Sequence, residues 1–150
     1  MTRFGQHARW FELTSDRFDH SSELPADWNA GNRFYGRDVA EFVSNGLEAR
    51  GFDSGFFDED WGWMVTAQRS DDRIVEVAVY HNPEEDPNTV DDWALMVRVV
   101  ERGRMLGFLP RRQERPVDAE TVASIEAIFA EARIALRDGR PGETNAGVTD

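Results

Sequence analysis

An alternation of apolar and polar residues in the middle of the chain constrains the fold more than any other feature. Three segments place apolar side chains at every second position, which is the repeat of a half-buried β-strand. These segments are Trp61–Gln68, Arg73–His81 and Trp93–Glu101. The turn-forming break Ser70-Asp71-Asp72 joins the first two, so the sequence predicts an antiparallel hairpin there.

Two shorter segments extend the predicted sheet to about five strands. Ala8–Leu13 is a short aromatic run near the N-terminus. Arg104–Leu109 follows a predicted tight turn at Arg102-Gly103. The polar connection Thr14–Arg33 comes after the first strand, and loops of this length are usually functional or mobile.

Two segments have the apolar repeat of amphipathic helices. The first runs from Asp38 to Arg50 and is stopped by Gly51. The second runs from Asp118, a good N-cap, to about Arg137. We expect their apolar faces to pack together against the sheet, through Val39, Phe42, Val43 and Leu47 of the first helix and Val122, Ile125 and Phe129 of the second.

The order of these elements predicts the fold class. A chain of 150 residues typically forms one domain and buries ~70% of the surface that its unfolded form exposes. Strand, helix, several antiparallel strands and helix indicate an α+β fold, an antiparallel sheet of about five strands with two helices packed on one face. The other face would remain open to solvent or to a partner. We expect a single domain over residues 1–138 and a disordered tail over 139–150, which lacks aromatic residues.

Acidic residues are concentrated in one stretch of the chain. Twelve of the 29 Asp and Glu residues lie between Asp53 and Asp92, where the only basic residues are Arg69 and Arg73. This stretch therefore carries −10 of the net charge of −12. An exposed surface of this kind repels nucleic acid and membrane headgroups and attracts a basic protein surface. We expect a protein partner with such a surface, no direct binding to nucleic acid or membrane, and a homodimer as a further option.

The motif Asp58-Glu59-Asp60-Trp61-Gly62-Trp63 places three carboxylates beside two indoles. Trp and Arg dominate binding hot spots, so an exposed indole here would anchor a partner whose arginines contact the carboxylates. The alternative is that both indoles fill the core from one strand face while the acids form a solvated loop. The predicted contact residues are Asp58, Glu59, Asp60, Trp61, Glu84, Glu85, Asp86, Asp91 and Asp92.

Composition argues against several chemistries. The chain has no cysteine, and all 17 basic residues are arginine, which removes thiol nucleophiles, Cys-based metal sites and Schiff-base lysines. The acidic clusters lack the alternate ligand spacing of a calcium loop. His7, His20 and His81 belong to no recognisable catalytic motif. We therefore expect no metal, no cofactor and no catalytic residue.

Arg111, Arg112 and Arg115 form the one basic patch that the sequence predicts, in a connection before the second helix. Such residues at a helix N-terminus could hold a phosphate or RNA. The net charge of −12 disfavours binding to a polyanion. The alternatives are pairing with the acidic loop of a second copy and a solvated connection.

The sequence gives no indication of export or membrane insertion. Its N-terminal residues lack the apolar run of a secretory signal. No stretch approaches the roughly 20 apolar residues that span a bilayer. We expect a cytoplasmic protein.

Two short motifs resemble a group of small bacterial proteins that have no assigned activity. They are Tyr35-Gly36-Arg37-Asp38-Val39-Ala40, which opens the first helix, and Glu59-Asp60-Trp61-Gly62-Trp63, which opens a strand. The likeness covers roughly residues 30–135 and implies no functional residue. In size, acidity and architecture the chain is also similar to immunity proteins and phage-encoded inhibitors.

These features predict a small acidic protein-binding module that occludes a basic surface on a partner. Its two concrete forms are a toxin-neutralising immunity protein and a phage-encoded inhibitor of a nucleic-acid-binding host defence complex. The alternative is an enzyme or small-ligand-binding protein that uses the uncovered sheet face, with Trp61, Trp93 and His81 lining a pocket. A concave pocket of several hundred Å³ lined by these residues would favour the alternative.

Overall fold

A computed structural model shows an antiparallel sheet and two helices in the part of the chain that it describes. The structure describes residues 7–26, 28, 34–70, 72–81 and 89–139, without the side chains of Ser70, Arg104, Met105 and Pro110. The predicted α+β class is confirmed. The elements are β1 (Arg9–Thr14), α1 (Arg37–Glu48), β2 (Asp53–Glu59), β3 (Gly62–Ser70), β4 (Arg73–Tyr80), β5 (Asp92–Met105), β6 (Leu109–Arg115), α2 (Ala119–Glu131) and β7 (Arg137–Asp138).

The sheet has seven strands among the described residues, so the prediction of about five was wrong. The strands that sequence patterns missed are β2, β6 and β7. β2 opens with Asp53-Ser54-Gly55, a composition typical of a turn, and β6 is mostly polar. β7 has only two residues, which is too short for any periodicity. Each is a strand because of its pairing with a neighbour, which local sequence does not record.

The predicted turn at Arg102-Gly103 was also wrong, because β5 continues through it as a paired strand. Arg102 and Gly103 lie opposite Arg112 and Arg111 of β6. The chain reverses at residues 106–108 instead, where Leu106 has φ 57° and Gly107 has φ 80°. Leu106 therefore holds a left-handed conformation that is uncommon for a residue with a side chain.

Helix α2 ends at Glu131 rather than near Arg137, where the apolar repeat had placed its end. Arg133 has φ 61°, a left-handed conformation that closes the helix. The N–H of Ile134 donates to the carbonyl of Phe129 at 2.9 Å, which is the wide hydrogen bond of a Schellman motif. At the other end, Asp118 accepts from the backbone N–H of Thr121 at 3.0 Å, so the predicted N-cap is confirmed.

The strand order places β5 at the centre of the architecture. The order is β2-β3-β4-β5-β1-β7, with β6 paired to β5 as well. One edge of β5 pairs with β4, while the other edge pairs with β1 in its first half and with β6 in its second. β5 thus links the main sheet to the β5–β6 hairpin.

Both helices cover the same face of the sheet. Val65, Val77 and Val97 are adjacent across β3, β4 and β5, are fully buried, and belong to one core with α1 and α2. The predicted packing residues of the helices all lie in or against this core. Fully burying an aliphatic side chain contributes about 1.5–3 kcal/mol. The helix residues with no exposed surface are Val39, Ala40, Val43 and Leu47 of α1 and Ile125 and Phe129 of α2.

The opposite face has a buried layer of its own, although neither α1 nor α2 covers it. Six apolar side chains on this face are at most 9% exposed, namely Trp10, Met64, Ile74, Ala78, Ala94 and Val100. Trp10 of β1 stacks on Tyr80 of β4 with ring centroids 5.9 Å apart, although β5 lies between these strands. Residues of β2 and of the β5–β6 hairpin line one cavity on this side, so the sheet curves toward it, and we call this its concave face.

The β5–β6 hairpin extends beyond the end of β4, whose pairing with β5 stops at Glu101. We call residues 102–112 the hairpin arm. The arm contains four arginines and no acidic residue. Its tip exposes apolar side chains, with Leu106 at 78%, Phe108 at 71% and Leu109 at 39% exposure.

Candidate functional site

Five predicted contact residues lie at one end of the sheet. β2 passes into β3 there through a two-residue turn, because Glu59 pairs with Gly62. β4 ends and β5 begins at the same end, since Tyr80 pairs with Ala94. We call this the acidic end and define it by Asp58, Glu59, Asp60, Asp91 and Asp92. Glu84, Glu85 and Asp86, the remaining predicted acids, lie outside the described residues.

The acidic end consists of two groups of carboxylates. β2 and β5 are three strand spacings apart, so the Asp58 group and the Asp92 group are separated by roughly 14 Å along the sheet. Asp60 is exposed, and the other four acids are half-buried. Asp92 accepts a hydrogen bond from the Thr14 hydroxyl at 2.6 Å, and Asp91 lies 2.9 Å from Nε2 of His20.

The two indoles of the acidic motif have different roles. Trp63 is 3% exposed, and its Nε1 donates to the carbonyl of Phe34 at 3.2 Å, so it belongs to the core. Trp61 sits in the β2–β3 turn and is half-buried. Its ring packs on Tyr80 with centroids 5.0 Å apart, and burial raises the pKa of that tyrosine while nearby Arg98 lowers it. Trp61 is therefore a surface residue held against the concave face.

Trp93 and His81 do not line the uncovered face, so the predicted pocket of Trp61, Trp93 and His81 was wrong. Trp93 pairs with Leu13 and is 2% exposed within the helix-covered core. His81 is 5% exposed and stacks on Trp93 with centroids 4.2 Å apart. The physical reason is strand alternation: Trp93 faces the helices, and Ala94 faces the concave side.

The buried environment of His81 affects its protonation. Burial lowers the pKa of His81, as does the neighbouring His20, while the hydrogen bond with Val90 and the charge of Asp91 act in the opposite direction. Its Nε2 lies 2.8 Å from the carbonyl oxygen of Val90. The lowered pKa favours the neutral imidazole, which packs on Trp93.

A cleft of ≈ 620 Å³ does open on the concave face, but other residues line it. Its walls come from β2, β3, β4 and the hairpin arm. The polar side chains that line it are Asp53, Thr66, Gln68, Glu76, Arg102 and Arg112.

Glu76 is the buried polar residue of this cleft. It is 9% exposed, and its carboxylate accepts from Nε of Arg98 at 2.5 Å. Nη2 of Arg112 lies 3.4 Å from the second carboxylate oxygen. Sequence reasoning missed Glu76, although an acid within the apolar run 74–79 indicates a buried residue that requires a partner.

The predicted basic patch does not exist as one surface, because its residues lie on a strand instead of a connection. Neighbouring strand residues point to opposite faces. Arg115 pairs with Glu101 at 3.1 Å, while Arg112 reaches toward Glu76. Arg111 is exposed on the other face of the hairpin arm.

The described residues offer neither a metal site nor a membrane span. They contain no group of three or more His, Asp or Glu side chains arranged to hold a metal ion. None of their helices is long and apolar enough to cross a membrane. Comparison with known proteins found no matching family model, curated protein or solved structure.

Proposed function

We propose that the protein is a small acidic binding module that occludes a basic surface on another protein with its acidic end. One observation carries the proposal: five carboxylates and the half-buried Trp61 lie together at one end of the sheet. Such an arrangement combines long-range attraction from the acids with a short-range apolar contact from the indole.

The carboxylates would act mainly on the rate of association. Clustered charges of one sign raise the on-rate for an oppositely charged protein, and salt weakens the effect. The net charge of −12 adds to this attraction and opposes direct binding to nucleic acid.

Trp61 would act mainly on the lifetime of the complex. Its ring already packs on Tyr80, and Tyr80 packs on Trp10, so little side-chain entropy is left to lose on binding. Its remaining exposed surface would be buried in the complex, and a buried tryptophan anchor chiefly slows dissociation.

The proposal has the two concrete forms suggested by the resemblance to immunity proteins and phage-encoded inhibitors. The partner would be a toxin or a nucleic-acid-binding host defence complex. Both forms act by steric occlusion, so they require neither a cofactor nor a catalytic residue.

The first test measures association with a labelled arginine-rich peptide by stopped-flow fluorescence. Asp58→Asn, Glu59→Gln and Asp60→Asn together should slow association roughly tenfold at low salt, because steering by charge is worth about 10- to 1000-fold in total. The matched control replaces Glu120, Glu126 and Glu131 of α2 with Gln, which removes the same charge far from the acidic end. Glu120 pairs with Arg69 and Glu131 with Arg50, both remote from the β2–β3 turn.

The control decides the interpretation of this experiment. If the acidic end is the contact surface, the control variant should associate nearly as fast as the unmodified protein. Equal slowing by both triple variants would mean that only net charge matters, and the acidic end would then not be a contact surface.

The role of Trp61 as an anchor is tested with the same peptide, extended by an apolar residue that can pack on an indole ring. Trp61→Ala should speed dissociation and leave the melting temperature nearly unchanged, because Trp61 lies outside the core. Trp63→Ala is the contrasting variant and should lower the melting temperature strongly, since Phe/Trp→Ala in a core costs about 3–5 kcal/mol. An unchanged dissociation rate in Trp61→Ala would exclude the indole as an anchor.

A further inference from the structure

The cleft on the concave face lies between the outer strands of the sheet and the hairpin arm. Asp53 and Gln68, which pair across β2 and β3, form one side of it. Arg102 and Arg112 of the hairpin arm form the other. Because residues of β2, β3 and β4 line one cavity together with residues of the hairpin arm, the arm bends over the concave face. The cleft is independent of the acidic end.

The two arginines of the cleft are direct neighbours. Arg102 and Arg112 occupy opposed positions in the β5–β6 ladder. Opposed residues in antiparallel strands have Cβ atoms about 4.5–5.5 Å apart, and like charges at that distance are destabilising. A chain with an excess of acids nevertheless places two arginines at opposed strand positions that line one cavity.

Glu76, the buried acid of the cleft, does not balance these two charges. It already forms a 2.5 Å contact with Arg98, so its single charge is shared between Arg98 and Arg112. The contact between Arg112 and Glu76 is long, at 3.4 Å, and 53% of the Arg112 side chain remains exposed. Of the acids that the structure describes, Asp53 also lines the cleft, on the opposite side.

We propose that Arg102 and Arg112 form an anion-binding subsite for a small molecule that carries a carboxylate or phosphate group. Guanidinium groups are planar and bind the paired oxygens of such groups bidentately, with charge-assisted hydrogen bonds. Binding also relieves the repulsion between the two arginines. Thr66 offers a hydroxyl group for the remainder of the molecule.

The dimensions of the cleft agree with a ligand larger than the anionic group alone. Small-molecule sites usually occupy about 300–1,000 Å³, and ≈ 620 Å³ lies within that range. Ile74 contributes an apolar wall, and Gly55 has no atom within 4 Å of the position where a Cβ would stand. The ligand therefore has room beside β2 for a body attached to its anionic group.

The test titrates the full chain with inorganic phosphate and, separately, with malonate, each at constant ionic strength against chloride. The measurements are calorimetric affinity and the NMR signals of the arginine Nε–H groups. At least one of the two anions should bind and shift the Arg102 and Arg112 signals. The anion that binds more tightly identifies whether phosphate or carboxylate is preferred.

Three variants make the test specific. Arg102→Gln and Arg112→Gln should each weaken binding about tenfold or more, since a hydrogen bond to a charged group is worth ~1.5–3 kcal/mol. Arg111→Gln is the matched control, because Arg111 is an exposed neighbour on the opposite face. This variant should bind the anion as tightly as the unmodified protein does. Thermal unfolding of each variant verifies the fold.

Two results would overturn the proposal. One is that neither anion binds saturably at concentrations up to about 10 mM, a range in which even a weak site would be detected. The other is an equal loss in Arg111→Gln, which would reduce the effect to general attraction by surface arginines. Neither result bears on the acidic end, whose test uses different residues and a cationic probe.

Discussion

At the residue scale, His81 shows how strand position fixes the chemistry of a side chain. It follows directly after β4 and packs between Trp93, Tyr35 and His20. In the sequence it is one of only three histidines and stands beside a turn-forming Asn82-Pro83 pair. In the structure it is a buried ring whose neutral form is favoured by its surroundings.

This burial predicts a pH dependence of stability. Because burial lowers the pKa of His81 in the folded state, the unfolded chain binds a proton near pH 6.5 that the folded chain does not. The free energy of unfolding should therefore fall as the pH drops through about 6.5, and this contribution should level off below the folded pKa. Urea unfolding at pH 7.5 and 5.5 measures it.

The variant His81→Phe identifies the group responsible. It retains an aromatic ring against Trp93 and removes the titration. The difference in stability between the two pH values should become smaller in this variant. An identical difference in both proteins would assign the pH dependence to other groups.

At this scale the sequence predicts which face of the sheet a side chain lies on, because alternation within the strand decides it. It does not predict where a strand begins or which partners a side chain has. The alternation in β3 placed Trp63 and Val65 on one face, and both are buried there. Trp61 fits the same alternation, yet it lies in the turn because the pairing of Glu59 with Gly62 starts the strand one residue later. Likewise, the partners of Glu76 come from β5 and β6, so no local pattern could indicate them.

At the element scale, α1 and α2 meet through a contact that only a glycine permits. A Cβ placed on Gly46 of α1 would lie 2.6 Å from Cγ1, 2.7 Å from Cγ2 and 2.8 Å from Cδ1 of Ile128 in α2. Ile128 is 4% exposed, so its branched side chain has little space to move. The two helices therefore pack with backbone against side chain at this point.

Gly46→Ala should destabilise the protein, although alanine is the better helix former. The intrinsic preference favours Ala by ~1 kcal/mol. Overpacking a core contact usually costs about 1–3 kcal/mol. We expect a net loss of roughly 1 kcal/mol or more, measured by urea unfolding.

Two further variants distinguish the effect of the contact between Gly46 and Ile128 from the effect of helix propensity. Ile128→Ala in the Gly46→Ala background should show a favourable coupling energy, because it removes the atoms that clash. Gly55→Ala in β2 is the matched control, since open space surrounds that position, and it should be neutral or slightly stabilising. Stability gained in Gly46→Ala would contradict the close packing of the helices.

The elements that could be predicted are those with their own periodicity. α1, β3 and β4 were found close to their true bounds because apolar residues repeat within each of them. β6 could not be found, since its strand character comes from pairing with β5 and its side chains are mostly arginine and glutamate or glutamine. The early end of α2 follows from the left-handed Arg133, which has no composition signal.

At the scale of the whole molecule, charge is distributed unevenly along the strand direction. The acidic end lies where β5 begins, and the arginine-bearing hairpin arm lies where β5 ends. The concentration of acids was visible in the sequence, but the arrangement of its two groups required the strand order. The separation of basic residues from the acidic end could not be predicted, because residues 102–112 were interpreted as a turn, a short strand and a connection.

The net charge of −12 predicts that salt stabilises the fold. Two like charges about 20 Å apart repel by ~0.2 kcal/mol in water, and a compact chain of this charge has many such pairs. Exposed ion pairs such as Arg9–Asp138 act against this trend, but each contributes only about 0–1 kcal/mol. The free energy of unfolding should rise between about 0.01 M and 0.1 M NaCl, where the Debye length falls from roughly 30 Å to 10 Å. A fall over that range would mean that attractive pairs dominate.

The opposed positions of the acidic end and the hairpin arm give the molecule a permanent electric dipole. β5 has 14 residues, so its two ends are separated by up to roughly 43 Å. In the field of a cationic body the molecule therefore experiences a torque as well as an attraction. It would turn its carboxylates forward and its hairpin arm away before any surfaces touch, so orientation is selected during the approach.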